Sequence, residues 1–216
     1  MSYIGSKPAN KPVVASDLDP TVITGQTALA TSPADTDEFL ISDAGVLKRL
    51  DASLIGGGGK ILQVVSTNKT DTFSVAVAND STLSSTISGF TVAITPSASN
   101  SKILILSTGT YCMSAVGAIG LYLFRDTTQI NLGDANQTRF RAATGMSYIA
   151  STGYAKAIGM VHVDSPNTTS EVVYSHKMSH TSGSSKTMYL NRDHDYGNNT
   201  DNPTSSSNII AIEIGA

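Results

Sequence analysis

From Lys60 to the C-terminus the chain is a succession of short runs rich in Val, Ile and Thr, each closed by a turn. Runs of that length and composition leave room for little but stacked β-sheets. They cover residues 60–66, 72–78, 86–95, 101–115, 119–125, 147–164, 171–180, 186–191 and 208–214. The run at 86–95 stops at Pro96, and Ser165-Pro166-Asn167-Thr168 separates two others. Residues 101–115 carry Ile103, Leu104, Ile105 and Leu106 in sequence, so part of that strand is expected to be covered on both faces. Ser and Thr make up 54 of 216 residues, and charged residues only 14%. The usual helix formers are correspondingly thin. The pattern predicts a two-sheet sandwich of jelly-roll kind. Residues 126–145 hold Arg139 and Arg141 but few apolar side chains, and are expected to form a loop or irregular excursion.

The first 55 residues differ from the rest. Pro8 and Pro12 force an extended path, and Asp19-Pro20 and Thr24-Gly25 mark turns. Residues 37–42 and 46–50 flank Asp43-Ala44-Gly45, which predicts a β-hairpin. A lone hairpin is marginal in water, so it must pack on something else. Gly56 to Gly59 then form a linker. Three parts are expected: a turn-rich attachment segment (1–55), the glycines (56–59) and a β-sandwich head (60–216).

Several function classes fall away. A net charge of −3 without a Lys/Arg cluster does not suit nucleic-acid binding. No apolar run is long enough to insert in a membrane, and the first residues do not read as a secretory signal. The single Cys112 has no internal disulfide partner and sits in an apolar run, which predicts a buried thiol. A charge-poor surface also suggests that apolar faces are covered by a partner.

The opening residues Met-Ser-Tyr-Ile-Gly-Ser-Lys-Pro-Ala-Asn-Lys-Pro resemble the start of many tail-fibre-like proteins of bacteriophages, marine ones especially. The same holds for Gly25-Gln26-Thr27-Ala28-Leu29, Pro33-Ala34-Asp35-Thr36-Asp37-Glu38, Ser42-Asp43-Ala44-Gly45 and Leu47-Lys48-Arg49. Lys60 to Ser66 and the closing Ile212-Glu213-Ile214-Gly215-Ala216 are similar to the edges of such fibre heads. The resemblance implies a structural virion protein, not an enzyme, made in the host cytoplasm and carried on the tail or capsid surface. It implies a homotrimer whose residues 1–55 grip other tail or capsid proteins, with Tyr3, Ile4, Lys7, Pro8, Lys11 and Pro12 at the attachment end. The head would adsorb to a bacterial surface receptor, a glycan or an outer-membrane protein. Alternatives are a capsid head fibre or decoration without receptor and, further off, a polysaccharide-degrading tailspike. Longer members place a shaft between leader and head, where this chain has only glycines.

Within the head, residues 126–145, 181–186 and 193–205 are the expected contact loops. Arg139, Arg141, Asp193, His194, Asp195, Tyr196, Asn198 and Asn199 are the candidate receptor-binding residues. The oxygen-rich stretch from Asp193 suits a hard cation, a carbohydrate or plain solvent, and its spacing matches no calcium loop. His176 and His180 lie on a strand, where i and i+4 stand ~13 Å apart, too far for one ion. They are expected at the surface or at an interface. Asp126, Asp134 and Asp164 form no catalytic pair by spacing. No catalytic residue, metal ligand or cofactor is nominated.

Overall fold

The computed structural model describes residues 25, 27, 33–34, 36–55, 60–78, 82–144, 146–195, 197, 200, 202 and 204–215, with the side chain of Leu47 left aside. The chain divides into two units, Met1–Gly57 and Gly58–Ala216. Each is taken by itself.

In the first unit, strands β1 (Glu38–Asp43) and β2 (Val46–Asp51) pair antiparallel from Glu38↔Asp51 to Asp43↔Val46. The turn residues Ala44 and Gly45 both have positive φ, at 50° and 81°. That is the two-residue turn whose twist matches the strands it joins. The expected hairpin is therefore present, and a single 3-10 turn at Ala52–Leu54 follows it. Arg49 pairs with Glu38 at 2.9 Å, and Lys48 with Asp43, all in the open. Exposed pairs of this kind add little stability. Phe39, Leu40 and Val46 are exposed, so the hairpin buries almost nothing of its own.

The second unit is almost entirely antiparallel β-structure. One sheet holds β3 (Ile61–Lys69), β4 (Phe73–Val77), β6 (Lys102–Met113), β10 (Lys156–Asp164), β12 (Lys186–Leu190) and β13 (Ser207–Ile214). The other holds β5 (Thr91–Ile94), β7 (Gly117–Arg125), β8 (Thr128–Ile130), β9 (Ser147–Ile149) and β11 (Val172–His180). β13 and β12 follow one another along one edge of β6, while β10 runs along the other. β3 and β4 repeat the arrangement outside β13 and β12. Both sheets contribute to one core, in which Ile103, Ile105 and Tyr111 meet Val92, Leu121, Leu123 and Tyr174. This is a β-sandwich, and its antiparallel sheets are compatible with a jelly roll.

Two polar devices tie the sandwich together. Arg125 of β7 donates to both carboxylate oxygens of Asp164 at the end of β10, at 3.0 and 2.8 Å. Tyr174 of β11 adds a 2.7 Å bond to the same group, so one carboxylate links the two sheets. Glu213 of β13 is buried and receives bonds from Gln63 Nε2 (2.6 Å), Ser97 N and Ser97 Oγ (both 2.7 Å). Burial alone would raise its pKa, but the donors from Gln63 and Ser97 outweigh it and hold the carboxyl at about 2.

Some expectations need correction. His176 and His180 are not at the surface of the unit. Both are fully buried on β11. His176 stacks on Phe90 at 5.2 Å, and His180 bonds Val77 O and the N–H of Ser182. The run at 147–164 is two strands, because Thr152-Gly153 turns the chain between β9 and β10. Of residues 86–95 only Thr91–Ile94 is strand. Residues 86–90 instead follow β11, with Ile87 donating to His176 O. The supposed loop at 126–145 begins with β8. The thiol of Cys112 is buried as expected, and burial pushes its pKa up.

Candidate functional site

A cleft of about 350 Å³ lies beside β7 and is lined by Tyr122, Gln129, Gln137, Arg139, Phe140 and Arg141. Tyr122 supplies its buried wall. Alternation on β7 sends Leu121 and Leu123 into the shared core and Tyr122 to the opposite face. Its hydroxyl is fixed by Ser179 Oγ at 3.0 Å. The cleft's rim is the segment after β8, whose shape comes from left-handed residues at Asn131 (φ 54°) and Gln137 (φ 52°). Asn accepts that conformation readily in turns.

Three bonds close the segment on itself. Gln129 Nε2 donates to Arg141 O at 2.8 Å, Arg141 Nε to Gly133 O at 2.7 Å, and Asn131 Nδ2 to Ala143 O at 3.4 Å. Ala143 N then donates to Leu121 O of β7. The result is a surface loop stitched to the sheet, a common form for binding loops. Arg139, Phe140 and Arg141 are all exposed. Among the described residues neither guanidinium pairs with a carboxylate.

The other nominated group lies elsewhere. Asp193 is only 3% exposed, so it serves the fold more than an incoming ligand. His194 is half-buried, with Nδ1 2.9 Å from Tyr189 Oη and its ring tilted against Tyr189. Arg192 covers the same tyrosine ring at 4.5 Å. His194 N donates to Thr152 O, and exposed Asp195 approaches Gly153 closely enough that a side chain there would meet its Oδ2 at 3.0 Å. Residues 193–195 thus pack on the turn between β9 and β10. Among the described residues no cluster of His, Cys, Asp and Glu suits a metal ion. Tyr196, Asn198 and Asn199 lie outside the described residues, as do Tyr3, Ile4, Lys7, Pro8, Lys11 and Pro12.

That same turn carries residues which sequence reasoning passed over. Tyr148 and Tyr154 are 58% and 73% exposed and flank a groove of about 270 Å³ that ends at Lys156. Lys156 Nζ donates to Tyr148 O at 3.3 Å. Exposed tyrosine rings offer flat apolar surface with a polar tip. The available signal was Thr152-Gly153 inside an apparent strand, which places Tyr154 on a turn and not in a sheet.

No family model and no curated protein matches the chain. Among solved structures it is similar to a chain of infectious bursal disease virus strain Gt, with a TM-score of 0.40 and 10% identity over 80% of this chain and 43% of that one. For strain Gx the values are 0.39, 13%, 80% and 42%. The chain spans less than half the length of either. Overlap at this level bears on neither activity nor partners. No helix among the described residues is long and apolar enough to cross a membrane.

Proposed function

We propose that this chain is a virion structural protein, a short bacteriophage fibre that binds rather than catalyses. Residues 1–55 attach it to the particle, and the β-sandwich presents loops to a glycan on the bacterial surface. The observation that carries this reading is the stitched cleft at Arg139, Phe140 and Arg141. It sets cationic, aromatic and amide side chains on a loop stitched to the sheet, and among the described residues neither Arg139 nor Arg141 meets a carboxylate. Sugar recognition calls for that mixture, with amides and guanidinium groups for hydroxyls and acids and a ring for the apolar sugar face. The tyrosine groove beside β9 adds two exposed rings and Lys156.

The attachment role is supported by the hairpin, whose Phe39, Leu40 and Val46 remain exposed within the chain. A hairpin of this kind is stable only when something covers it. We further assign the assembly as a homotrimer, and the outer face of the six-stranded sheet supports self-association. Across it run the rows Val163–Leu104–Ile212–Val64 and Val161–Leu106–Ile210–Ser66. Val64, Val161 and Val163 are more than half exposed, and neither row holds a charged side chain. Rows without charge are matched by a surface equally free of it, and the same rows on a second copy are one.

Gold-labelled antibody against the protein, viewed on particles by electron microscopy, tests the reading. Label at the tail or at capsid vertices is expected, and particles built with a 1–55 deletion should carry none. Absence of the protein from purified particles would overturn the proposal.

A further inference from the structure

We propose that the cleft at Arg139 and Arg141 takes an acidic sugar, with the guanidinium groups on the acid and the amides of Gln129 and Gln137 on hydroxyls. The inference rests on the glycan-binding reading above and narrows it to one chemical class.

The five arginines of the chain are not equivalent. Arg49 pairs with Glu38, and Arg125 with Asp164. Arg192 lies over the Tyr189 ring and donates to the backbone of Asp193 and His194. Arg139 and Arg141 stand two residues apart, both exposed, and both line one cleft. Arg141 spends only its Nε on the protein, at Gly133 O. Its terminal amino groups have no partner among the described residues. Arg139 makes no side-chain hydrogen bond among them at all. Two like charges on one cleft repel each other, and an anion between them reverses the sign of that interaction. A guanidinium presents parallel N–H donors that fit both oxygens of a carboxylate or a phosphate.

The rest of the cleft argues for a sugar bearing the acid and not for a bare anion. Phe140 is 37% exposed at the rim, giving a ring for the C–H face of a pyranose. Gln129 and Gln137 place amides in the same lining. At about 350 Å³ the cleft is at the small end of ligand pockets, which suits one or two sugar units. The three closing bonds hold the loop, with Gln129 and Arg141, in place before binding, which lowers the ordering entropy that opposes it.

The acid can be a carboxylate, as in a uronic acid, or a phosphate, as in a phosphorylated core sugar, and the test separates them. The full chain is titrated by calorimetry with tri-galacturonic acid against its neutral methyl ester, and with mannose 6-phosphate against mannose. At least one acid should bind tenfold or more tighter than its neutral counterpart, and the one that does identifies the acid group. Arg139→Gln should weaken that binding at least tenfold without moving the melting temperature, because Arg139 bonds nothing in the fold. Arg141→Lys should weaken it as well, since an ammonium lacks the fork. Equal affinity for acid and neutral sugar, no binding of either acid at millimolar concentration, or full binding by Arg139→Gln would each overturn the inference. Adsorption of the wild-type protein to host cells distinguishes the two levels. Adsorption without acidic-sugar binding removes this inference and leaves the fibre reading standing. Acidic-sugar binding without adsorption does the reverse.

Discussion

Ser207 donates its hydroxyl to the side-chain oxygen of Asn191 at 2.6 Å, closing the excursion between β12 and β13 where the chain leaves the sheet and rejoins it. The rest of Asn191 is equally committed. Its amide donates to Lys69 O and Asp71 O, both at 2.9 Å, across the break between β3 and β4. Its backbone N–H bonds Thr110 O, and its carbonyl accepts from Ser205 N. The residue is fully buried at φ 63°. One side chain therefore ties the break between β3 and β4 to the excursion between β12 and β13, and Asn is among the few residue types that accept such a φ.

Replacing Asn191 by Leu should cost about 2–4 kcal/mol, because two carbonyls and a hydroxyl lose their partners in a buried site and a branched side chain is strained at that φ. For a chain of this size the melting temperature should fall by roughly 4–16 °C in calorimetry. A change within a degree or two would mean that water replaces the amide and that Asn191 is not the joint.

Acid should weaken the head in two stages. His176, buried against Phe90, has its pKa lowered from 6.5 to about 4 by burial, which the Tyr122 backbone offsets only in part. The unfolded chain takes up that proton below about pH 6.5, and the folded one only near pH 4. Stability is thus full above the first value and declines as the pH falls to the second. Glu213, held at about 2 against an ordinary 4.5, adds a second decline between those values. Thermal melts from pH 7 to 3 should show the upper stage vanish in His176→Phe and the lower one shrink in Glu213→Gln. The Gln variant should also lose about 1–3 kcal/mol at neutral pH. A melting temperature flat from pH 7 to 4 would contradict the histidine assignment.

The outer face of the six-stranded sheet supplies a test of assembly. Lysine at Val161 and Val64 would place two charges in rows that hold none. Sedimentation equilibrium should give a trimer for the wild type and a monomer with unchanged fold for the double variant, since a desolvated, unpaired ammonium is costly. A monomeric wild type at micromolar concentration would contradict the assignment of this face.

The strands were legible because β-branched runs and turn residues carry local information. β6 and β11 appear almost where the runs at 101–115 and 171–180 place them. The hairpin was legible for the same reason, since Asp43-Ala44-Gly45 dictates its turn. What stayed hidden depends on contacts distant in sequence. Nothing near His176 announces that residues 86–90 cover it, so a histidine on a strand looked like surface. Asn191 reads as the last residue of the run at 186–191 until Lys69, Thr110 and Ser207 converge on it. Arg139 and Arg141 stood out by their scarcity in a charge-poor chain, but the cleft between them depends on Tyr122 and Gln129 from neighbouring strands. Asp193 looked like a loop carboxylate and is instead buried.

The most direct measurement is adsorption of the fluorescently labelled full-length protein to host cells over a concentration series. Binding should be saturable, competed away by isolated surface polysaccharide and weakened at least tenfold by Arg139→Gln. Repeated sites on a multivalent particle would strengthen that binding further. Linear, non-saturating uptake, or binding unaffected by both polysaccharide and Arg139→Gln, would contradict the proposed function.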